Sequence, residues 1–320
     1  MRVLARFPAI LVALACSAPA AEAPPGWEAA LAAGQPVSVT ADPVEVGTGR
    51  LTGLALRGAW ELNADRDGFG GLSGLVIRDR QLYAVADNGS WFGAELLDDG
   101  DGGLTLTGTR MAPMRDQWGQ TYDRIGGDAE GLAWDGERLA VSFERDHRIM
   151  RLGDSGRMEA TIAPRRFERL QSNRGLEALA SLPAGGLIAL AEGRDDKLVP
   201  VFLIAQDGTD RETSLPLAWL HQVTGADVGP DGRLYLVLRE FSLLFGVSIR
   251  IVRFDLGPDG APRPGSIQTL AAFENASGID NMEGLAVEAL ADGSMRLWLI
   301  SDDNFNPLQR TLLLSFDVLP

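Results

Sequence analysis

Apolar residues in this chain come in short runs that stop at turn-forming residues. The runs at 75–77, 82–86, 139–141, 187–191, 234–238 and 297–300 have strand length and are bounded by Gly, Pro, Asp or Asn, as at 98–103, 258–260 and 292–293. Helical periodicity is weak throughout, and the 38 Gly and 17 Pro punctuate the chain at strand spacing. The stretch 281–304 shows the unit most fully. Glu283 opens one apolar strand, Asp292-Gly293 turns it, and the return strand runs through 297–300 into Asp302, Asp303 and Asn304. A hairpin sets the start of its first strand beside the end of its second, so Glu283 and Asp302 are expected at one sheet edge.

The same unit recurs at 71–88, 128–144, 175–192 and 225–240 before its fifth appearance at 282–302. Equivalent starts fall at Ser73, Glu130, Glu177, Ala226 and Glu283, spaced by 57, 47, 49 and 57 residues. That period is the one of a propeller blade built from four short strands. Two further strands per unit are expected at 91–97 and 104–111, 147–152 and 157–162, 198–205 and 211–217, and 248–256 and 266–273. The fifth unit offers only 310–318 and lacks an outer strand. Residues 51–63 supply a candidate whose donation would close the ring and remove an open edge. The chain therefore reads as an all-β protein, a β-propeller of four-stranded blades, five by repeat count, with its ring closed by an N-terminal strand. A sixth blade would have to come from 37–46 and diverged segments, and the alternative to any propeller is a β-sandwich with coincidentally spaced strands.

The first residues change the expected compartment. Arg2 and Arg6 precede an apolar run at 7–16 and the small residues Ala18-Pro19-Ala20, the layout of a signal peptide over 1–20. Residues 21–50 then form an N-terminal arm and 51–320 a single propeller domain. The apolar core of the leader is about half the roughly 20 residues a membrane span needs, and no later stretch is long enough. A periplasmic or secreted protein is expected. Ala13-Leu14-Ala15-Cys16 also resembles a lipoprotein signal, although Leu stands two rather than three residues before Cys. Cys16 is the only cysteine, so the mature chain has no disulfide and no thiol nucleophile. Net charge is −15, and loss of Arg2 and Arg6 takes it to −17. Such a balance argues against nucleic acid and anionic membranes as partners and suits a monomer that binds a cation and a small molecule.

In a propeller the first strand of each blade lines the central channel, so Ser73, Glu130, Glu177, Ala226 (with Asp227 beside it) and Glu283 should ring one mouth. The second strands end at Asp87, Glu144, Glu192, Glu240 and Asp302, adding carboxylates to the same end. Crowded carboxylates raise one another's pKa unless a cation intervenes. Oxygen ligands with no Cys and only two His point to Ca²⁺, with Mg²⁺ or Mn²⁺ as alternatives, rather than Zn²⁺. Candidate metal ligands are Glu130, Glu177, Glu283, Asp302 and Asp87, and candidate general bases are Glu144, Glu192 and Glu240. Arg174, with Asn173, Asn281 and Arg310, is a candidate for holding an anionic substrate group. These acids would otherwise accept backbone amides and pair with Arg124, Arg145, Arg174, Arg239 and Arg310. Asn63, Asp65 and Asp67 open a calcium-loop pattern, but Gly74 stands where its final acid belongs. Gly71-Leu72-Ser73-Gly74-Leu75 is not a nucleophile elbow, and His147 and His221 are read as surface or packing residues.

At these residues the chain resembles the phytase-like, or "esterase-like activity of phytase", family of exported bacterial propellers. The matching pieces are Gly70 to Leu75 with Ala86-Asp87-Asn88, Asp128-Ala129-Glu130-Gly131-Leu132, Asn173-Arg174-Gly175-Leu176-Glu177, and Met282-Glu283-Gly284-Leu285 with 301–305 and 309–313. The resemblance implies hydrolysis of phosphate or carboxylate esters. In calcium-dependent propeller phytases, acids at a channel mouth hold Ca²⁺ that bridges substrate phosphates and activates water. Lys197 is the only lysine here, so a polyphosphorylated substrate would need neutralisation by metal or Arg. The expected activity is a metal-dependent hydrolase of a phosphoester or small carboxylic ester. A non-catalytic binding propeller with a structural Ca²⁺ and a lactonase-like enzyme are the alternatives.

Overall fold

The computed structural model describes residues 23–320 apart from 33, 48, 101, 173, 193–196, 218–220, 243–245, 275–277 and 280, with the backbone alone at 241–242. Residues 1–20, read from sequence as a signal peptide, and Cys16 therefore lie outside the described residues, as does Asn173.

Five antiparallel sheets each start from one inner strand. The inner strands are Leu72–Arg78, Ala129–Asp135, Leu176–Ser181, Gln222–Val228 and Met282–Ala289, one each for blades 1 to 5. Each packs on the inner strands of the two neighbouring blades, and the fifth meets the first, so the ring is closed. Five apolar clusters fill the gaps between neighbouring blades. Leu75, Ala84, Trp298 and Ile300 fill the one between blades 5 and 1, for instance, and Leu190, Val201, Leu236 and Val252 the one between blades 3 and 4. Alternate residues of each strand face the preceding and following blades, which is why the central strands read as unbroken apolar runs.

Closure runs as the sequence predicts. Leu54–Ala64 pairs antiparallel with Leu312–Val318 and supplies the outer strand of blade 5. The segment offered for a sixth blade does not form one. Val39–Pro43 pairs with Leu54–Ala64 and extends blade 5 to five strands. Gln35–Pro36 and Arg50–Leu51 likewise cap the outer strands of blades 1 and 4, covering edges that would otherwise be open. The short helix Trp27–Ala32 plugs its Trp27 edge-on against Tyr83 and Trp91, at centroid distances of 4.7 and 5.6 Å.

The inner strands share an irregularity that decides the site. In every blade the pairing of first and second strands skips one residue, at Ser73, Glu130, Glu177, Thr224 and Glu283. A bulge of this kind re-aims the extra residue's side chain and bends the strand. The next residue is Gly74, Gly131, Ala178, Gly225 or Gly284, where neighbouring inner strands approach most closely. A methyl group on Gly225 would lie 2.0 Å from the backbone oxygen of Glu283 in blade 5. Gly225→Ala must therefore spread two blades, and we expect it to destabilise the fold by about 3 kcal/mol, a fall of roughly 6–10 °C in melting temperature. An unchanged melting temperature would refute the close approach.

Candidate functional site

The five bulges define the equivalent positions of the ring, and they correct the register in blade 4. Thr224 occupies the place assigned to Ala226, and its hydroxyl donates to the Met282 carbonyl across the blade boundary at 2.8 Å. Asp227 lies further along the strand and accepts the Val228 and Val287 N–H groups, each at 2.8 Å. At the bulge tier the channel narrows to a cavity of about 10 Å³, about the space one water needs. A larger ligand cannot sit at this tier, which separates the acidic mouth from a cavity of about 490 Å³ at the far ends of the inner strands, lined by Arg78, Trp134, Asp227 and Glu288.

Around that mouth stand the residues that end the second strands. The backbone N–H groups of Asp87, Glu144, Glu192 and Asp302 donate to the carbonyls of Gly71, Asp128, Gly175 and Asn281, so these four positions are equivalent. In blade 4 the pairing sets Arg239 opposite Gln222, and Arg239 takes the fifth place. Glu240, expected there as a general base, is displaced by one residue and lies 3.6 Å from His221 instead. The four other carboxylates are brought to the mouth with Glu130, Glu177 and Glu283.

The ring divides into two halves. On the side of blades 4 and 5, Arg239 Nη1 donates to Glu283 Oε1 at 2.8 Å and to the Asn281 side-chain oxygen. The Asn281 amide donates in turn to Glu283 at 2.9 Å and to Asp302 at 3.3 Å. Asp302 also accepts the Asn304 N–H at 2.6 Å. The expected meeting of Glu283 and Asp302 is thus made through Asn281, which is buried and engaged within the ring. Burial opposes the charge of Arg239, yet Glu283, Glu177 and Glu192 hold its pKa above the ordinary arginine value.

On the side of blades 1 and 2, Asp128, Glu130 and Glu144 each offer a carboxylate oxygen within 4.8 Å of the other two. Glu144 is hydrogen-bonded to Asp128 and to Glu177, and accepts the Gly175 N–H at 3.3 Å. Arg145 Nε lies 2.5 Å from Asp128 Oδ2, with its side chain 41% exposed against 8% for the carboxylate. Asp87 Oδ1 is buried and has no hydrogen-bond partner among the described residues. Burial, then neighbouring acids, drives the titrations upward. Asp87 and Glu144 are each pushed to about 6 and Asp302 to about 8, while Glu130 and Glu177 rise well above the usual carboxylate range.

The candidate substrate groups separate. Arg174 Nε lies 3.5 Å from Glu192. Both line a cleft of about 290 Å³ at the mouth with Arg169, Gln171 and Pro200. Arg310 is not brought to the ring, because its guanidinium reaches the Gly278 carbonyl at 2.9 Å and Glu61 at 3.6 Å. Neither histidine joins it. His147 Nε2 lies 3.0 Å from the Gln171 carbonyl. His221 is buried, and burial followed by the charge of Arg250 lowers it to about 4. Residues 65–68 form a turn at the end of the strand Leu54–Ala64, where Asn63 donates to Asp42 and Asp65 accepts the Ser38 N–H, both at 3.0 Å. Asp128 and Arg239 are the site residues that sequence reasoning missed as ring members. Arg239 stands one residue before the candidate Glu240, and Asp128 two residues before the candidate Glu130.

Fold and site together define a five-bladed β-propeller with an acidic mouth. The sequence profile of the phytase-like family, described as "esterase-like activity of phytase", matches residues 67–305, and the chain belongs to that family. No curated protein matches it. Among solved structures, it is similar to a protein of unknown function from Dyadobacter fermentans, with TM-score 0.46, 10% identity and coverage of 90% of this chain and 100% of that one. A gluconolactonase from Xanthomonas campestris has TM-score 0.46, 15% identity and coverage of 88% and 99%. The PQQ-bound aldose sugar dehydrogenase from Streptomyces coelicolor has TM-score 0.40, 16% identity and coverage of 92% and 100%. Likenesses this distant carry no argument about activity. No helix among the described residues is long and apolar enough to cross a membrane.

Proposed function

We propose that this protein is an exported, monomeric, metal-dependent hydrolase that cleaves a phosphoester or small carboxylic ester at the acidic mouth. The observation that carries this reading is the convergence of Asp128, Glu130 and Glu144 on one point. The donor set fits a hard divalent cation, Ca²⁺ before Mg²⁺ or Mn²⁺, because every donor is a carboxylate oxygen. The buried Oδ1 of Asp87 has no hydrogen-bond partner among the described residues, as a further ligand atom would. Asp128, Glu130 and Glu144 would hold the ion, with Asp87 beside them. Of the other residues read from sequence as ligands, Glu283 and Asp302 are engaged by Arg239 and Asn281, and Glu177 adjoins the cluster through its hydrogen bond with Glu144. A bound divalent cation supplies Lewis-acid polarisation of the ester and a more acidic water.

The chain's own groups supply the rest. Glu192, whose pKa is raised chiefly by burial, takes the proton from the attacking water. Arg174 beside it holds the oxygen that gains charge. The narrow tier below confines the reaction to the mouth. Many acids and few cations there favour substrates of low charge over polyphosphorylated ones.

Calcium titration of chelator-stripped protein, with p-nitrophenyl phosphate and p-nitrophenyl acetate as substrates, tests the proposal. Metal should restore turnover of one ester, and the preferred ester names the branch. The engagement of Arg239 in the mouth favours the second reading, a binding propeller with a structural ion. Under that reading Ca²⁺ raises the melting temperature and neither ester turns over. No response to metal by either measure would remove the metal from both accounts.

A further inference from the structure

We infer that Arg239 is a built-in counter-cation that stands in for a metal ligand at blade 4 and confines a divalent cation to the blade 1 and 2 side of the mouth. The inference rests on the metal reading proposed above, and its grounds are positional. Four blades end their second strand at the mouth with a carboxylate, Asp87, Glu144, Glu192 and Asp302. The pairing register puts a guanidinium at the same place in the fifth. A unit positive charge is thereby fixed in a ring that otherwise carries acids at every second-strand end.

Its hydrogen bonds show which acids it serves. Arg239 donates to Glu283 at 2.8 Å and to the Asn281 side-chain oxygen, and Asn281 reaches both Glu283 and Asp302. Its charge also bears on Glu177 and Glu192. These acids already share a cation that carries its own hydrogen-bond geometry, so a metal ion there would have to expel a largely enclosed side chain. The Arg239 side chain is only 21% exposed. The corresponding arginine on the other half, Arg145, is 41% exposed and contacts Asp128 from the solvent side. A cation approaching Asp128, Glu130 and Glu144 meets that outer arginine and the charge of Arg124, which also bears on Asp128 and Asp87. Removing one partner of a buried charged pair leaves the other uncompensated. The acids left by Arg239 should therefore recruit a cation of their own.

The test is calorimetric titration of Ca²⁺ alone into the chelator-stripped full chain, with circular dichroism to establish folding. Wild type is expected to take one ion per chain at the mouth, removed by Glu130→Gln, and Arg239→Gln to take a second. Should Arg239→Gln fold only in the presence of Ca²⁺, Glu283→Gln serves in its place. That variant should keep the single ion with affinity within about twofold of wild type, since the constant would move by less than about 0.4 kcal/mol. The inference is overturned if folded Arg239→Gln takes one ion at unchanged affinity, or if Glu283→Gln loses the ion as Glu130→Gln does. Failure of the underlying metal reading looks different. Wild type and Arg239→Gln would then both take no ion, and the two ideas fall together. Binding by Arg239→Gln but not by wild type would overturn the metal reading for the native protein while supporting Arg239 as the cation that occupies the mouth.

Discussion

Glu130→Gln is expected to abolish calcium-dependent ester turnover while making the metal-free fold more stable. Glu130 stands at the bulge of blade 2, where burial and the charges of Glu177, Glu283, Asp128 and Glu144 all oppose its ionisation. The neutral amide matches its shape and removes a charge that the ring tolerates poorly, so the stripped variant should melt above stripped wild type. The same change removes one of three converging ligand oxygens. Turnover at saturating Ca²⁺ should fall by at least about 100-fold, equivalent to about 2.7 kcal/mol of barrier. The two readouts move in opposite directions, which separates a ligand from a packing residue. A variant that loses both stability and turnover would mark Glu130 as structural. One that keeps turnover would take it out of the site.

Much of the fold could be read from sequence because its cause is local and repeated. A polar residue, a small residue, an apolar one and a returning strand recur five times, with Glu at the polar place in three of them, and the missing outer strand of the last unit left one partner for 51–63. The count of five followed from that, and Val39–Pro43 had no free inner position from which to start a sixth blade. The site was legible in kind and misplaced in register. A bulge consumes one residue without altering the apolar pattern, and matching Gly225-Ala226 to the Glu-Gly-Leu-Ala units shifts the inner strand of blade 4 by two positions, while its second strand is read one residue too far, to Glu240 instead of Arg239. Thr224-Gly225 carries the true signal, a side chain followed by the glycine that admits the next blade. Asp128 was missed for a related reason. It precedes the inner strand, a place that reads as a turn until the mouth is assembled. Arg310, read from sequence as a group for an anionic substrate, is carried outward to Glu61 just before the strand that begins at Leu312.

The metal-free protein is expected to lose stability as pH rises from about 6.5 to 8.5, and Ca²⁺ to reverse the loss. Unfolded Asp and Glu titrate near 4, whereas the folded ring raises Asp87 and Glu144 to about 6, Asp302 to about 8, and Glu130 and Glu177 higher than the usual range. A carboxyl with a raised folded pKa binds its proton more tightly in the native state. Its contribution is therefore fully present below about 4 and is lost as pH climbs through the folded values. His221 acts in the opposite sense: held near 4 when folded, it costs stability as pH falls from about 6.5. Below that pH the two trends compete, and above it the carboxylates act without that opposition. Asp227, raised to about 7 by burial at the other end of its strand, adds to the decline but lies away from the mouth. A divalent cation binds the ionised acids and releases their protons, so its stabilisation should be larger at pH 8 than at pH 5. Each kcal/mol corresponds to roughly 2–4 °C, which calorimetric melting at a series of pH values resolves. Stability that holds level or rises between pH 6.5 and 8.5 in stripped protein would mean that the arginines and amides already satisfy the ionised ring, and the cation would have nothing to relieve.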